Sequence, residues 1–478
     1  MTTEASTSAS GQIWNGLRNL GDPEYQRPIF KVHDILRNVN MTAYEPEIIS
    51  IGPYHRENES LSAMEKHKLQ YLNQLFDEKV KVDEDYVLQE MMGRVVGHRG
   101  DKGCDKIKEK ICKNFLQELG ELAMEARKKY AGSFSLNDEQ FVNMLLLDGC
   151  FIIQLLLKNY SMPELITEDD PIFKVDWMRT SLQRDLLLLE NQLPFGVLCK
   201  LFELIDHRNK PKDLAYHACR FFCNVFHGLD MDIPNSFQAN AVEHLLDLIH
   251  SRWNPQLRTA PAAAVVDFPL ELKENSLNWR FFSAKRIIEN GVVFKISKSR
   301  GNLFDIKFSD KCCIRFSKLI FQQLIIEGRT ETFFRNFIAY EQYFKASKGN
   351  FVTNYVDFFG NLIDSEEDVE LLSYHGILDN KLGDSKSVVN LFTKINQCVT
   401  IENPEKSNSL YGHIYRQLNV YCTKNRHYYR AKMRESYCNP WGIASITLAT
   451  MGIFLTVIML AFAVLNYKFN KKQHQQPH

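Results

Sequence analysis

The sequence predicts a mainly α protein: a large helical domain, a small antiparallel β element and a C-terminal transmembrane helix. Three observations point there. Apolar residues recur at spacings of three and four over most of the chain. Residues 292–316 break into short strand-like pieces separated by turns. Residues 442–464 form an uncharged apolar run long enough to cross a bilayer. Composition agrees with a folded body, at 45% hydrophobic and 24% charged over 478 residues. Lys+Arg and Asp+Glu both total 58, so the formal charge is zero. Phosphate neutralisation needs a positive excess, so no nucleic-acid partner is expected.

Residues 1–27 are polar and read as a mobile N-terminus without the basic and apolar regions of a signal peptide. The first part of the helical core domain is placed at 28–253. Within it, YEPEIISIGPYH (44–55) reads as a short strand ending at a Gly-Pro turn. Met64, His67, Leu69, Tyr71, Leu72, Leu75 and Phe76 have helical spacing. Ile107, Ile111, Phe115, Leu119, Leu122 and Ala126 mark an amphipathic helix that Gly132 closes.

Phe141 to Leu157 is apolar almost all round, yet it is only 17 residues long and carries Asn143, Asp148 and Gln154. A mid-helix Asp is expensive in lipid, so this stretch is expected to be the central helix of a globular core. Leu182 to Phe202 is its expected neighbour, kinked or restarted at Pro194. Residues 254–269 hold three prolines and an alanine run and read as a linker or insertion. Residues 270–434 complete the domain. VVFKIS, LFDIKF and CCIRF are the expected strands, and helices resume with TETFFRNFIAYEQYF, SEEDVELLSYHGIL and KSVVNLFTKIN. A last helix, about 404–434, leads toward the membrane span.

That span runs from Gly442 through Phe454 to Val464, 23 residues without a charge. At about 1.5 Å per residue it crosses the ~30 Å hydrocarbon core with some tilt. Residues 465–478 are a short polar tail. Arg426, Arg430, Lys432 and Arg434, with Lys424, form a basic run before the span, against three lysines after it. The bias favours a single-pass protein whose bulk is cytosolic. The same run is a candidate lipid-facing patch, or else the solvated face of a helix.

There are 11 cysteines, scattered and without a CxxC pair, which fits reduced thiols in the cytosol. Cys219, Cys223 and His227, spaced by four, are a weak candidate for soft metal ligands on one helix face. One face rarely closes a tetrahedral site, so core packing is the plainer reading. Asp148 and Glu190 lie in the two most apolar stretches, with Asp185, Asn191 and Gln192 nearby. One reading makes them an acid/base pair with shifted pKa values. The other makes them part of a satisfied polar network that fixes helix packing, because buried carboxylates must be paired, hydrogen-bonded or protonated. His55 is either a general base or a residue that locks its turn. No hydrolase, zinc-protease or nucleotide-binding motif is found, and no cofactor is expected.

Several blocks together resemble the plant family known as domain of unknown function 247. They are AYEPEIISIGPYH (43–55), AMEKHKLQYL (63–72), MLLLDGCFIIQLL (144–156), DLLLLENQLPFGVL (185–198), IIENGVVFKISKS (287–299), FIAYEQYF (337–344) and DVELLSYHGILDN (368–380), followed by the membrane span. Two places depart from the family pattern: Val32-His33, where the family has Val-Pro, and CCIRF, which lacks a proline. The resemblance implies a mostly helical, membrane-attached plant protein. The family has no established catalytic activity, and some of its grass members look like determinants of self-incompatibility. The expected function is therefore recognition or signalling through protein partners at a membrane. The alternative is an enzyme with a pocket using Asp148, Glu190 or His55.

Overall fold

A computed structural model describes residues 27–90, 101–160, 166, 170–226, 228–255, 282–299, 301–309, 317–400, 410–423 and 440–473. The apolar stripe of α1 (Ala63–Glu90) turns Met64, Tyr71, Leu75 and Phe76 inward. Lys68 lies on the same stripe, four residues from Met64, and is fully buried. Leu69, expected inside, sits one position round the helix and is exposed. α2 (Asp101–Lys128) buries Ile111, Phe115, Leu119 and Ala126 as its spacing predicts. Its chain then turns through Gly132, which takes a φ of 76°.

α3 (Asp138–Tyr160) is the expected central helix, buried at nearly every position from Met144 to Lys158. Around it pack α1, α2 and two later helices. The segment that follows carries α4 (Asp176–Asp185), α5 (Phe195–Ile205), α6 (Pro211–Phe222) and α7 (Leu245–Trp253). α3 contacts both α5 and α6. Gly149 allows α3 to approach α5 closely, since a Cβ there would strike Leu201. The helix expected over 182–202 is interrupted more deeply than at Pro194 alone. α4 stops at Asp185, residues 186–194 run irregularly, and α5 restarts at Phe195 with Pro194 as its N-cap.

The β element is present, and its order differs from a simple meander. β1 (Val293–Ile296), β2 (Lys307–Ser309) and β3 (Lys318–Phe321) form a sheet in the order β1-β3-β2. β2 and β3 are antiparallel, as expected, but β1 pairs with β3 in parallel. β3 inserts between the first two strands because Leu319 and Phe321 alternate inward and need the most covered position. The expected third strand, CCIRF, lies outside the described residues; KLIF of β3 takes its role. A second parallel pair joins β4 (Leu324–Ile326) to β5 (Leu378–Asn380).

Besides the short helix Ala284–Glu289, five longer helices complete the described body: α8 (Thr330–Lys348), α9 (Phe351–Leu362), α10 (Glu366–Tyr374), α11 (Ser385–Ile395) and α12 (Gly412–Cys422). Three of them start on side-chain acceptors. Ser365 and Asp368 form a capping box on α10, and Asp384 accepts from Ser387 N at 2.6 Å to start α11. α9 is capped by another helix: Glu341 of α8 accepts from Val352 N at 3.0 Å and from Thr353 N at 2.8 Å. His250 of α7 lies 2.9 Å from the same carboxylate. One hydrophobic cluster extends from Ile29 to Tyr421, so the two parts of the body share a core. Most of the linker at 254–269 lies outside the described residues, as does much of the helix expected over 404–434. α13 (Pro440–Gln473) contains the apolar span.

Candidate functional site

The segment 43–56 forms no strand, although one is expected over 44–55: Tyr44 ends a 3-10 turn that begins at Met41, and the residues after it run irregularly. Its backbone donors go to side chains from elsewhere in the chain. The Asp185 carboxylate, at the end of α4, accepts from Glu47 N at 3.0 Å, Ile48 N at 2.8 Å and Ile49 N at 3.1 Å. Asn191 Oδ1 accepts from Ile51 N at 2.7 Å, while its Nδ2 donates to Ile49 O and Asp185 O. Asp148 Oδ2 on α3 accepts from Gly52 N at 2.9 Å. An apolar alternation thus reads as a strand, but a partner strand is replaced by three side chains.

The irregular run 186–194 needs the same treatment, because every residue from Ser181 to Phe195 is buried. A buried loop must satisfy its polar backbone internally. Gln192 Nε2 donates to Leu186 O at 2.7 Å and Leu188 O at 2.8 Å. Asn336 Oδ1, on α8, accepts from Leu189 N at 2.9 Å. This explains why LLLLENQ is not helical: Asn191 and Gln192 capture backbone groups that a helix would use.

Charges sit at two ends of the network. At one, Asp148 accepts from Lys68 Nζ at 2.7 Å, and both side chains are fully buried. Lys68 also donates to Ser50 O at 2.6 Å and Glu65 Oε1 at 2.6 Å. Arg56 Nη1 stands 3.6 Å from Asp148 Oδ1. At the other, Glu190 accepts from Val32 N at 2.7 Å and from Arg37 Nη2. His55 Nε2 lies 3.5 Å from Glu190 Oε2. Burial alone would raise the Glu190 carboxyl, but His55, Arg37 and the Val32 N–H outweigh it and hold it below its ordinary value. For Asp185 burial wins, and the carboxyl is raised despite three backbone donors and Arg184.

Asp148, Glu190 and His55 therefore share one network, but among the described residues no hydrogen bond or ion pair joins the two carboxylates. Each works through the 43–56 segment with its own cation. Their oxygens are occupied by backbone N–H groups and basic side chains, which leaves little lone-pair capacity for moving a substrate proton. Chemically, the arrangement clamps: it fastens α3, the 186–194 run and the N-terminal segment together. The cations Lys68, Arg37 and Arg56 are the members that sequence reasoning did not name. A lysine in a helix reads as a solvated side chain, and only its place on the Met64–Tyr71–Leu75 stripe hints otherwise.

Of the metal candidates, Cys219 lies on α6, Cys223 is the residue that caps its C-terminus and keeps helical dihedrals, and His227 lies outside the described residues. Cys219 is fully buried, and burial pushes its thiol up to about 12. His217 is half-buried, its imidazole pKa lowered by desolvation.

The membrane candidate is α13. Ala444–Lys468 is apolar enough to cross a membrane, and none of its most apolar window is buried. Phe454 and Val464 are exposed. Its hydroxyls are satisfied within the helix: Thr450 Oγ1 donates to Ile446 O at 2.9 Å and Thr456 Oγ1 to Gly452 O at 3.0 Å. Such internal pairing is what a lipid environment demands. Gly442 starts the span inside α13, while Arg426, Arg430, Lys432 and Arg434 lie outside the described residues.

A family model described as a plant protein of unknown function, DUF247, matches residues 29–455. The chain is 29% identical over 460 residues to the UPF0481 protein At3g47200 of Arabidopsis thaliana, covering 93% of this chain and 87% of the relative. It is 20% identical over 456 residues to the UPF0481 protein At3g02645 of the same plant, covering 78% of each. No solved structure matches.

Proposed function

The chain belongs to the DUF247 family of plant proteins, and from that premise we propose a membrane-tethered recognition or signalling protein that acts through protein contacts. The observation that carries the reading is the apolar helix Ala444–Lys468, whose most apolar window no described residue of the body buries. Inserted in a bilayer, it would confine the body to a surface and raise its effective concentration toward partners on that surface. The basic run before it would face anionic headgroups, contributing about 1 kcal/mol per Lys or Arg near the surface. The occupied oxygens of Asp148 and Glu190 support a structural use of these carboxylates over a catalytic one.

Two measurements test this. The full-length protein should pellet with membranes through an alkaline carbonate wash and come off only with detergent, whereas a chain ending at residue 439 should not pellet. A biotin ligase fused to the body in plant tissue should label a set of membrane neighbours that is lost in the truncated chain. A full-length product that is freely soluble without detergent overturns the tether, and labelling that is indifferent to truncation overturns its role.

A further inference from the structure

Away from the clamped network, a cleft of about 280 Å3 opens between α4, the end of α6, β4 and the start of α8. Asp148, Glu190 and His55 are absent from its lining. Its aromatic part is a ring cluster: Phe226 lies tilted 4.5 Å from Trp253 and edge-to-face 5.3 Å from Phe333, centroid to centroid. Its charged part is Arg179 and Arg329. Arg329 Nη2 donates to Ser181 Oγ at 3.1 Å and, among the described residues, makes no ion pair. Among the described residues, the one carboxylate paired with Arg179 is Asp176, 3.7 Å away on a solvated side chain at 95% exposure. The single carboxylate in the lining, Glu327, is itself exposed. Gln183 is buried at the wall, where its Nε2 donates to Phe221 O at 2.7 Å and fixes the amide.

Two guanidinium groups with little carboxylate compensation, beside preformed aromatic surface, select for one chemistry. The rings take up an apolar or aromatic body, and the arginines take up a carboxylate through charge-assisted, fork-like hydrogen bonds. The volume is near the lower end of small-molecule sites, roughly 300–1,000 Å3, which limits the body to about one or two rings. We propose that this cleft binds a small aromatic carboxylate, with its ring against Phe226 and Phe333 and its carboxylate on Arg329 and Arg179. The site is independent of the membrane reading, since none of its residues belongs to α13.

The test uses the full-length protein in nanodiscs and two probes of matched shape, 4-fluorophenylacetate and its neutral amide, followed by fluorine NMR with empty nanodiscs as the control. The acid should bind saturably and about tenfold more tightly than the amide, the scale of a charge-assisted pair. Arg329→Gln should remove that preference and leave amide binding unchanged. Arg179→Gln should act in the same direction and more weakly, and circular dichroism establishes that each variant is folded. If Arg329→Gln does not fold, Arg179→Gln alone decides, because its side chain is partly solvated. Equal binding of acid and amide, no saturable binding beyond empty nanodiscs, or an acid preference that survives both substitutions overturns the proposal.

Discussion

α3 and α13 pass the same length and composition test for crossing a membrane, yet 78% of the most apolar window of α3 is buried in the body and none of that of α13 is. The difference lies in their few polar atoms. On α3, Asp148 and Lys158 find partners on other segments: Lys68 and the Gly52 N–H for the first, Asp170 at 2.7 Å for the second. On α13, Thr450 and Thr456 bond to their own helix. A helix whose polar groups need outside partners is committed to a protein interior, and one that satisfies itself is free to enter lipid.

The sharpest test of that contrast is to remove one polar group from each helix. Asp148→Ala removes the fully buried counter-charge of Lys68, leaving it the half-buried Glu65 and the Ser50 carbonyl, and unpairs the Gly52 N–H; it should destabilise the body by about 3 kcal/mol in chemical unfolding. Thr450→Ala in α13 should change the same measurement by less than about 0.5 kcal/mol. Equal effects would break the comparison. Next in size is a charge placed in each span. On the proposed reading, Phe454→Arg should cost about 2.5–3.5 kcal/mol of insertion and shift protein out of the membrane fraction. The unfolding midpoint of the body should stay put. Leu155→Arg in α3 should do the reverse and abolish the folded state.

Much of this contrast was legible in the sequence, and what was not has a physical reason. Asn143, Asp148 and Gln154 mark α3 as a core helix because lipid penalises them, and the absence of any charge marks 442–464. Stripes such as Ile111–Phe115–Leu119 place α2 directly. By contrast, Ile49 and Ile51 alternate like a strand, and nothing local reveals that Asp185, more than a hundred residues away, supplies the acceptors. Lys68 hides because its type argues for solvent while its position argues for the core. The β1-β3-β2 order depends on a long-range insertion that short strand signals do not encode. In the candidate site, the residue types at 148, 190 and 55 were visible, and their partners were not.

The comparison extends to pH, because residues 442–464 of α13 hold no titratable group while the body does. Asp357 of α9 is half-buried, and desolvation raises its carboxyl from 3.8 to about 6 against hydrogen bonds from Asn361 and Tyr415. A carboxyl raised on folding binds its proton more tightly in the native state. Its contribution is therefore complete below the unfolded value near 3.8 and is lost as pH rises through about 6. The expected loss across that window is on the order of 2 kcal/mol. Asp357→Asn should flatten it, and truncation of α13 should leave it unchanged. A pH dependence that vanishes with α13 would contradict the assignment.

The smallest effect probes the link between α3 and the segment it holds. Gly52 adopts a φ of 77°, and a Cβ there would stand 2.7 Å from the Gln192 carbonyl oxygen, a backbone atom fixed by the buried 186–194 run. Neither the dihedral nor the contact relaxes easily, so Gly52→Ala should cost about 1–2 kcal/mol. The loss should couple to Asp148, since the Gly52 N–H is one of its donors. In a Gly52→Ala, Asp148→Ala cycle, the combined loss should fall short of the sum by at least about 0.5 kcal/mol. Strict additivity would mean that the segment is held by its apolar contacts, and that Asp148 serves Lys68 alone.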